Sequence, residues 1–285
     1  MFSVISHWHP THVITLLDGP IGSLLTFRGV PTPPPLWSAN ALQTAPDMVA
    51  QIHGEYAGAG ACVHTANTFR TGPRAAGPEW EDLTRRAVAI ARSSIPSTHR
   101  VAGSIAPARD CYRPDLSPED PRPEHRLLAQ CLAQAGVDLI LCETFAHVGE
   151  GLIAVEEAVA TGLPVWAAFT GGPDGSLLSP FDLAIAARQA AERGAQAVLV
   201  NCIASELTLS YVEAISRVVP PSVPFGAYAN AGGPGDWNAT DNAAVERYVL
   251  AAMSWVDAGA TIVGSCCGTS PVHIVAIDHA LQCRR

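Results

Sequence analysis

The chain contains no lysine: all seventeen of its basic residues are arginine. That absence excludes a Schiff-base aldolase, a pyridoxal phosphate enzyme and a Walker-type phosphate loop, because each needs a lysine amine. Positive charge is also in short supply, with a net charge of −9. An acidic protein offers no electrostatic footprint for a phosphate backbone or an anionic lipid surface, so neither nucleic acid nor a membrane is an expected partner. Although 48% of the residues are hydrophobic, no run approaches the eighteen or so uninterrupted apolar residues of a membrane span. The first eleven residues lack a basic region, an apolar core and a small-residue cleavage site in that order, and a cytoplasmic location is the expectation.

What is present is a rhythm. Short apolar, β-branched runs at 13–18, 61–67, 101–106, 138–143, 165–170, 197–202, 225–230 and 261–266 alternate with amphipathic stretches. Helices are predicted over 47–59, 79–93, 124–135, 148–161, 181–193, 205–218, 243–258 and 271–281, the last with Ser270 as N-cap and Pro271 at its first position. Eight strands and eight following helices in 285 residues predict an α/β fold of the (β/α)8 TIM barrel type, one domain over 1–285. The other candidate is an open doubly wound sheet, but no Gly-x-Gly-x-x-Gly turn follows the first strand. Proline-rich segments at 31–35, 114–123 and 220–224 read as loops, and the first two follow strands and could cover a site.

Barrel active sites are built at strand C-termini. Asp18, Asn67, Thr68, Ser104, Glu143, Cys202, Asn230, Cys266 and Cys267 all fall there. Of the eight cysteines, Cys62, Cys131 and Cys142 lie in apolar patterns and read as core, and Cys111 and Cys283 as loop and terminal residues. Cys202 and the pair within Gly264-Ser265-Cys266-Cys267-Gly268 stand apart. Three thiolates with one coordination position left open are one way to assemble a reactive zinc site; buried structural thiols or a closed structural zinc are the plainer alternatives. Neighbouring side chains of a strand point to opposite faces, so Cys266 and Cys267 can share a metal only if the strand has ended. The bracketing glycines permit that. His7-Trp8-His9 precedes the first strand and so belongs to the wrong barrel end for catalysis.

Leu17-Asp18-Gly19 with Gly22, Ala66-Asn67-Thr68-Phe69, Gly103-Ser104-Ile105-Ala106-Pro107, Glu143-Thr144, Val200-Asn201-Cys202, Tyr228-Ala229-Asn230-Ala231-Gly232 and Gly264-Ser265-Cys266-Cys267-Gly268-Thr269 resemble, in order, the motifs of the homocysteine S-methyltransferase family. The resemblance spans essentially the whole chain, and its most specific parts are the Asn-Cys and Cys-Cys-Gly-Thr elements. It implies a zinc-binding barrel that methylates homocysteine to methionine, with Cys202, Cys266 and Cys267 as zinc ligands. Asp18 and Glu143 then match acidic positions that hold the amino group of homocysteine, Gly19 and Thr68 line the acceptor site, and Asn230 matches an asparagine that lies at the metal when substrate is absent. The implied partners are a small thiol acceptor and a methyl donor such as S-methylmethionine, S-adenosylmethionine or a betaine. Phe69, Trp166 and Tyr228 are candidates for a cation–π contact with the donor.

Two positions depart from the family pattern. Pro20 stands where a second glycine is usual and offers no backbone donor for an amino-acid carboxylate. Ala229 replaces the proline of the Tyr-Pro-Asn-Ala-Gly element. Two other classes compete with methyl transfer: a metal-dependent hydrolase on the same barrel, with His64 the nearest histidine to a strand end, and a member of the family that binds zinc or thiols without turnover.

Overall fold

The structure, a computed structural model, describes residues 13–231 and 241–284. The His7-Trp8-His9 segment and Gly232 lie outside the described residues. Eight parallel strands run β1 (Thr15–Leu16), β2 (Val63–Ala66), β3 (Arg100–Ile105), β4 (Leu139–Phe145), β5 (Val165–Phe169), β6 (Ala197–Ala204), β7 (Phe225–Asn230) and β8 (Ile262–Ser265). Their order in the sheet is β1-β8-β7-β6-β5-β4-β3-β2. The two ends of that sheet meet: Cys62 N–H donates to Leu16 O at 2.9 Å, and Asp18 N–H to Val63 O at 3.0 Å. The result is the expected (β/α)8 barrel.

The helices are α1 (Gly22–Phe27), α2 (Ala41–Thr44), α3 (Pro46–Gly58), α4 (Pro73–Ala76), α5 (Trp80–Ser94), α6 (Arg122–Ala135), α7 (Val148–Val159), α8 (Pro180–Glu192), α9 (Ser205–Ser216), α10 (Asn242–Asp257) and α11 (Pro271–Gln282). Eight of them match the predicted stretches within a few residues. The short α1, α2 and α4 are additional, because four to six residues hold too little of a 3.6-residue period to be seen. At α11 the Ser270 N–H donates to His273 Nδ1 at 3.2 Å, which closes the start of the helix.

Strand alternation divides the apolar residues into two cores. Leu17, Val63, Ala102, Leu139, Leu141, Ala168, Leu199 and Ile262 fill the barrel interior. Their neighbours along the strands, such as Leu16, Val101, Ile140, Val198, Ala227 and Val263, pack against the helices together with Ile52, Leu132, Val155 and Trp255. The interior is therefore a packed plug, and what is left open lies above it, at the strand C-termini. No helix among the described residues is long and apolar enough to cross a membrane.

Candidate metal centre at the barrel mouth

A cavity of about 600 Å³ opens at that end. On its floor, Cys202, Cys266 and Cys267 bring their sulfur atoms within 4.8 Å of one another, all three side chains buried. Sequence alternation alone does not explain Cys202. With Leu199 facing the interior, residue 202 of a regular strand faces the helices. Instead Cys202 adopts a left-handed φ of 51°, and the β6–β7 register shifts between Asn201 and Ala204. This bulge turns the thiol inward, a device that recurs beside active sites. β4 carries the matching irregularity, with Thr144 at φ 63° and a register shift between Cys142 and Phe145. Asn201 couples the two: its Nδ2 donates to Thr144 Oγ1 at 2.8 Å and to Cys202 Sγ at 3.5 Å, and its Oδ1 accepts from Thr144 N–H at 3.1 Å.

β8 stops at Ser265, and Cys266 and Cys267 lie in the turn beyond it. Gly268 takes a φ of 79° there, which an L side chain rarely adopts. Both thiols consequently reach one point. Cys202 Sγ and Cys266 Sγ are 2.6 Å apart, far inside the contact distance of two neutral sulfur atoms yet outside bonding distance, and all the cysteines are free. Hydrogen bonds from Cys202 and Cys266 hold Cys267 well below the ordinary thiol range, while the hydrogen bonds of Cys266 with Cys202 and Cys267, and then burial, push Cys266 up. Three buried sulfur atoms this close can all ionise only around a cation.

Two carboxylates face this floor. Burial pushes Asp18 well above the usual carboxylate range, even though its oxygens accept from Thr65 N–H at 2.8 Å and Thr65 Oγ1 at 3.1 Å, and the nearby Glu143 charge adds to the rise. Glu143 is pushed up to about 7 by burial, against hydrogen bonds from the hydroxyls of Ser104 and Tyr228. Two desolvated acids lining one cavity can together receive a cation such as an ammonium group.

A model of the homocysteine S-methyltransferase family matches residues 15–281. The chain belongs to the homocysteine S-methyltransferase family. Curated relatives include homocysteine S-methyltransferase of Escherichia coli, 30% identical across 93% of this chain and 94% of that protein. Homocysteine S-methyltransferase 4 of Zea mays is 29% identical across 94% and 89%. Among solved structures, the metallated form of the Escherichia coli homocysteine methyltransferase superposes with a TM-score of 0.79 at 26% identity, covering 95% of this chain and 97% of that one.

Within this family barrel, the residues singled out in the sequence do not all reach the cavity. Asp18, Gly19, Pro20, Asn67, Glu143, Cys202, Cys266 and Cys267 line it. A Cβ at Gly19 meets Tyr56 Oη at 2.5 Å and Ser265 Oγ at 2.6 Å, so only glycine fits that close approach. Thr68 does not line the cavity: its hydroxyl accepts from Ser104 N–H and donates to Ser104 O, each at 2.9 Å, and ties the end of β2 to β3. Asn230 is buried at the end of β7, beside the cysteine pair through the Ala231 N–H bond to Cys267 O at 2.9 Å. Neither polar atom of its amide has a partner among the described residues. That orphaned amide and the three crowded sulfur atoms together fit a metal-binding donor set.

Trp166 also falls elsewhere. It packs low in the barrel with the Arg100 guanidinium 5.3 Å from its ring centroid and takes no part in the cavity. His64 points to the helix layer, stacked on His99 at 5.3 Å. With His53 it brings ring nitrogens within 4.8 Å of the Asp18 carboxylate. Burial holds the two rings at about 3 and about 4, so both are neutral. Neither lines the cavity, and among the described residues the hydrolase reading lacks the water-holding histidines it needs there. Two features escaped the sequence reading, the Asn201 brace and the two hydroxyls on Glu143; the loop carrying Cys111 and Tyr112, which walls the cavity, adjoins one of the segments read from the sequence as able to cover a site. The proline-rich stretch after β3 was the one signal for that loop.

Proposed function

We propose that this chain is a cytoplasmic, single-domain, zinc-dependent methyltransferase. It moves a methyl group from a small sulfonium or quaternary ammonium donor, S-methylmethionine foremost, to homocysteine, and the product is methionine. The observation that carries this reading is the convergence of three buried cysteine sulfur atoms beneath two desolvated carboxylates in one cavity.

Cys202, Cys266 and Cys267 are the metal ligands in this reading, with Asn201 bracing the first of them. Zinc bound there supplies the acidity that converts an incoming thiol to a thiolate, and three anionic ligands keep that sulfur electron-rich enough to attack. Asp18 and Glu143 bind the substrate ammonium and thereby hold the amino acid at a fixed distance from the cysteines. Ser104 and Tyr228 orient Glu143 and keep it ionised in the presence of that partner. Gly19 lets the chain pass close to the acceptor, and Asn230 offers its unpaired amide when the acceptor is absent. Orientation of two bound reactants can contribute on the order of 7 kcal/mol or more to the barrier. Pro20 leaves the amino-acid carboxylate to be recognised by groups other than its own backbone nitrogen.

The test is metal stoichiometry. One zinc per chain in the purified protein, lost in Cys202→Ser and Cys267→Ser together with methionine formation, supports the assignment. Full activity in a metal-free preparation overturns it.

A further inference from the structure

Among the described residues, four aromatic side chains line the cavity, Trp37, Phe69, Tyr112 and Tyr228. Trp37 and Phe69 meet edge to face at 5.7 Å, and the Arg70 guanidinium lies 5.1 Å from the Phe69 ring centroid. A second cation at Phe69 is repelled. Tyr228 shares the interior cluster with the three cysteines, but its hydroxyl is committed to Glu143 at 2.9 Å. Tyr112 packs on that same cluster of Cys202, Cys266 and Cys267 and belongs to neither arrangement.

The loop that carries Tyr112 is held from below. Ala108 N–H donates to Glu150 Oε1 at 2.7 Å, and His125 Nε2 meets the same oxygen at 3.2 Å. The Glu150 and His125 side chains are 1% and 2% exposed, a buried pair with a structural purpose outside the cysteine site. Arg70 adds a second clamp, donating to the carbonyls of Pro107 at 3.0 Å and Arg109 at 2.7 Å. Tyr112 N–H donates to Asp110 Oδ1 at 2.9 Å. A loop fixed at these points is a wall whose side chains have set positions.

We propose that Tyr112 is the donor-binding residue, its ring face receiving the positively charged sulfonium or quaternary ammonium centre over the three cysteines, and that Glu150 with His125 is the positioning pair that keeps it there. The assignment rests on the methyl-transfer reading. In that reaction the donor's S–CH3 or N–CH3 bond breaks, its electron pair stays on the departing sulfur or nitrogen, the acceptor sulfur forms the new S–CH3 bond, and the thiol proton goes to solvent. The cationic charge thus exists on the donor and vanishes in its product. An aromatic face attracts the charged form by its quadrupole and adds no competing nucleophile. It also favours release of the neutral product.

The experiment uses the full-length, zinc-loaded protein and two ligands of nearly equal shape, S-methylmethionine and methionine, titrated calorimetrically. Tyr112→Leu weakens S-methylmethionine about ten-fold, with methionine affinity, zinc content and homocysteine KM unchanged. Tyr112→Phe, which keeps the ring, recovers most of the lost affinity. Glu150→Gln raises the donor KM while the homocysteine KM stays put. Equal weakening of both ligands by Tyr112→Leu, or no weakening, overturns the assignment while wild-type turnover leaves the methyl-transfer reading standing. A wild-type protein that binds and turns over no onium donor overturns both.

Discussion

The hydroxyl of Tyr228 donates to Glu143 Oε2 at 2.9 Å, joining the ends of β7 and β4 across the barrel mouth. It holds down a carboxyl that burial raises to about 7. Tyr228→Phe removes that restraint, so the Glu143 pKa rises further. The acid limb of homocysteine kcat/KM should shift upward by about one unit, with roughly ten-fold less activity just below neutrality. A pH profile of the two proteins checks this, and superimposable acid limbs refute it.

The same carboxyl links to stability. Its pKa is raised on folding, so its stabilising contribution is complete below about 4.5 and lost as pH rises through about 7. Glu143→Gln should therefore be more stable than wild type at alkaline pH without substrate, by about 1–3 kcal/mol, and the advantage should vanish in acid. Thermal melts at the two pH values test the sign, and turnover should be lost at both.

Asn201 ties two residues in left-handed conformations, Thr144 and Cys202. Asn201→Ala leaves both to relax, and it should weaken metal affinity by about 10- to 100-fold. Competition with a chromophoric chelator measures this, and unchanged affinity would show that the bulge holds Cys202 unaided.

Tyr248 explains how the chain accommodates Ala229. Its hydroxyl accepts from Ala229 N–H at 3.2 Å and can donate to Ala229 O at 2.9 Å or Gly264 O at 3.0 Å. A proline at 229 has no N–H to give. Tyr248→Phe strands these buried groups and should cost about 1–3 kcal/mol in urea unfolding, whereas Ala229→Pro should be destabilising here despite matching the family pattern.

The sequence disclosed those features that local chemistry enforces. Apolar β-branched runs marked all eight strands, because a parallel sheet buried on both faces leaves no polar alternative. Glycines around Cys266 and Cys267 marked a turn in which neighbouring thiols point the same way. Cys202 was found by its place after a strand, but the positive φ that turns it inward arises from register against β7, a tertiary fact with no local signature. Thr68 shows the same limit: position at a strand end is visible, and which neighbour takes the hydroxyl is not. Tyr112 lies in a loop without periodicity, where a side chain's destination is set by contacts far along the chain, here Glu150 on α7.

The central claim is that a thiol placed over Cys202, Cys266 and Cys267 accepts a methyl group. It is tested most directly by mass spectrometry of the carbon-13 methionine formed from carbon-13 homocysteine and an S-methylmethionine carrying deuterated S-methyl groups, the carbon-13 separating it from the methionine that the donor leaves behind. Zinc-loaded wild type should yield carbon-13 methionine carrying deuterium on its sulfur methyl, and Cys267→Ser should yield none. Carbon-13 product without deuterium only, or equal deuterated carbon-13 product from the two proteins, would contradict the account.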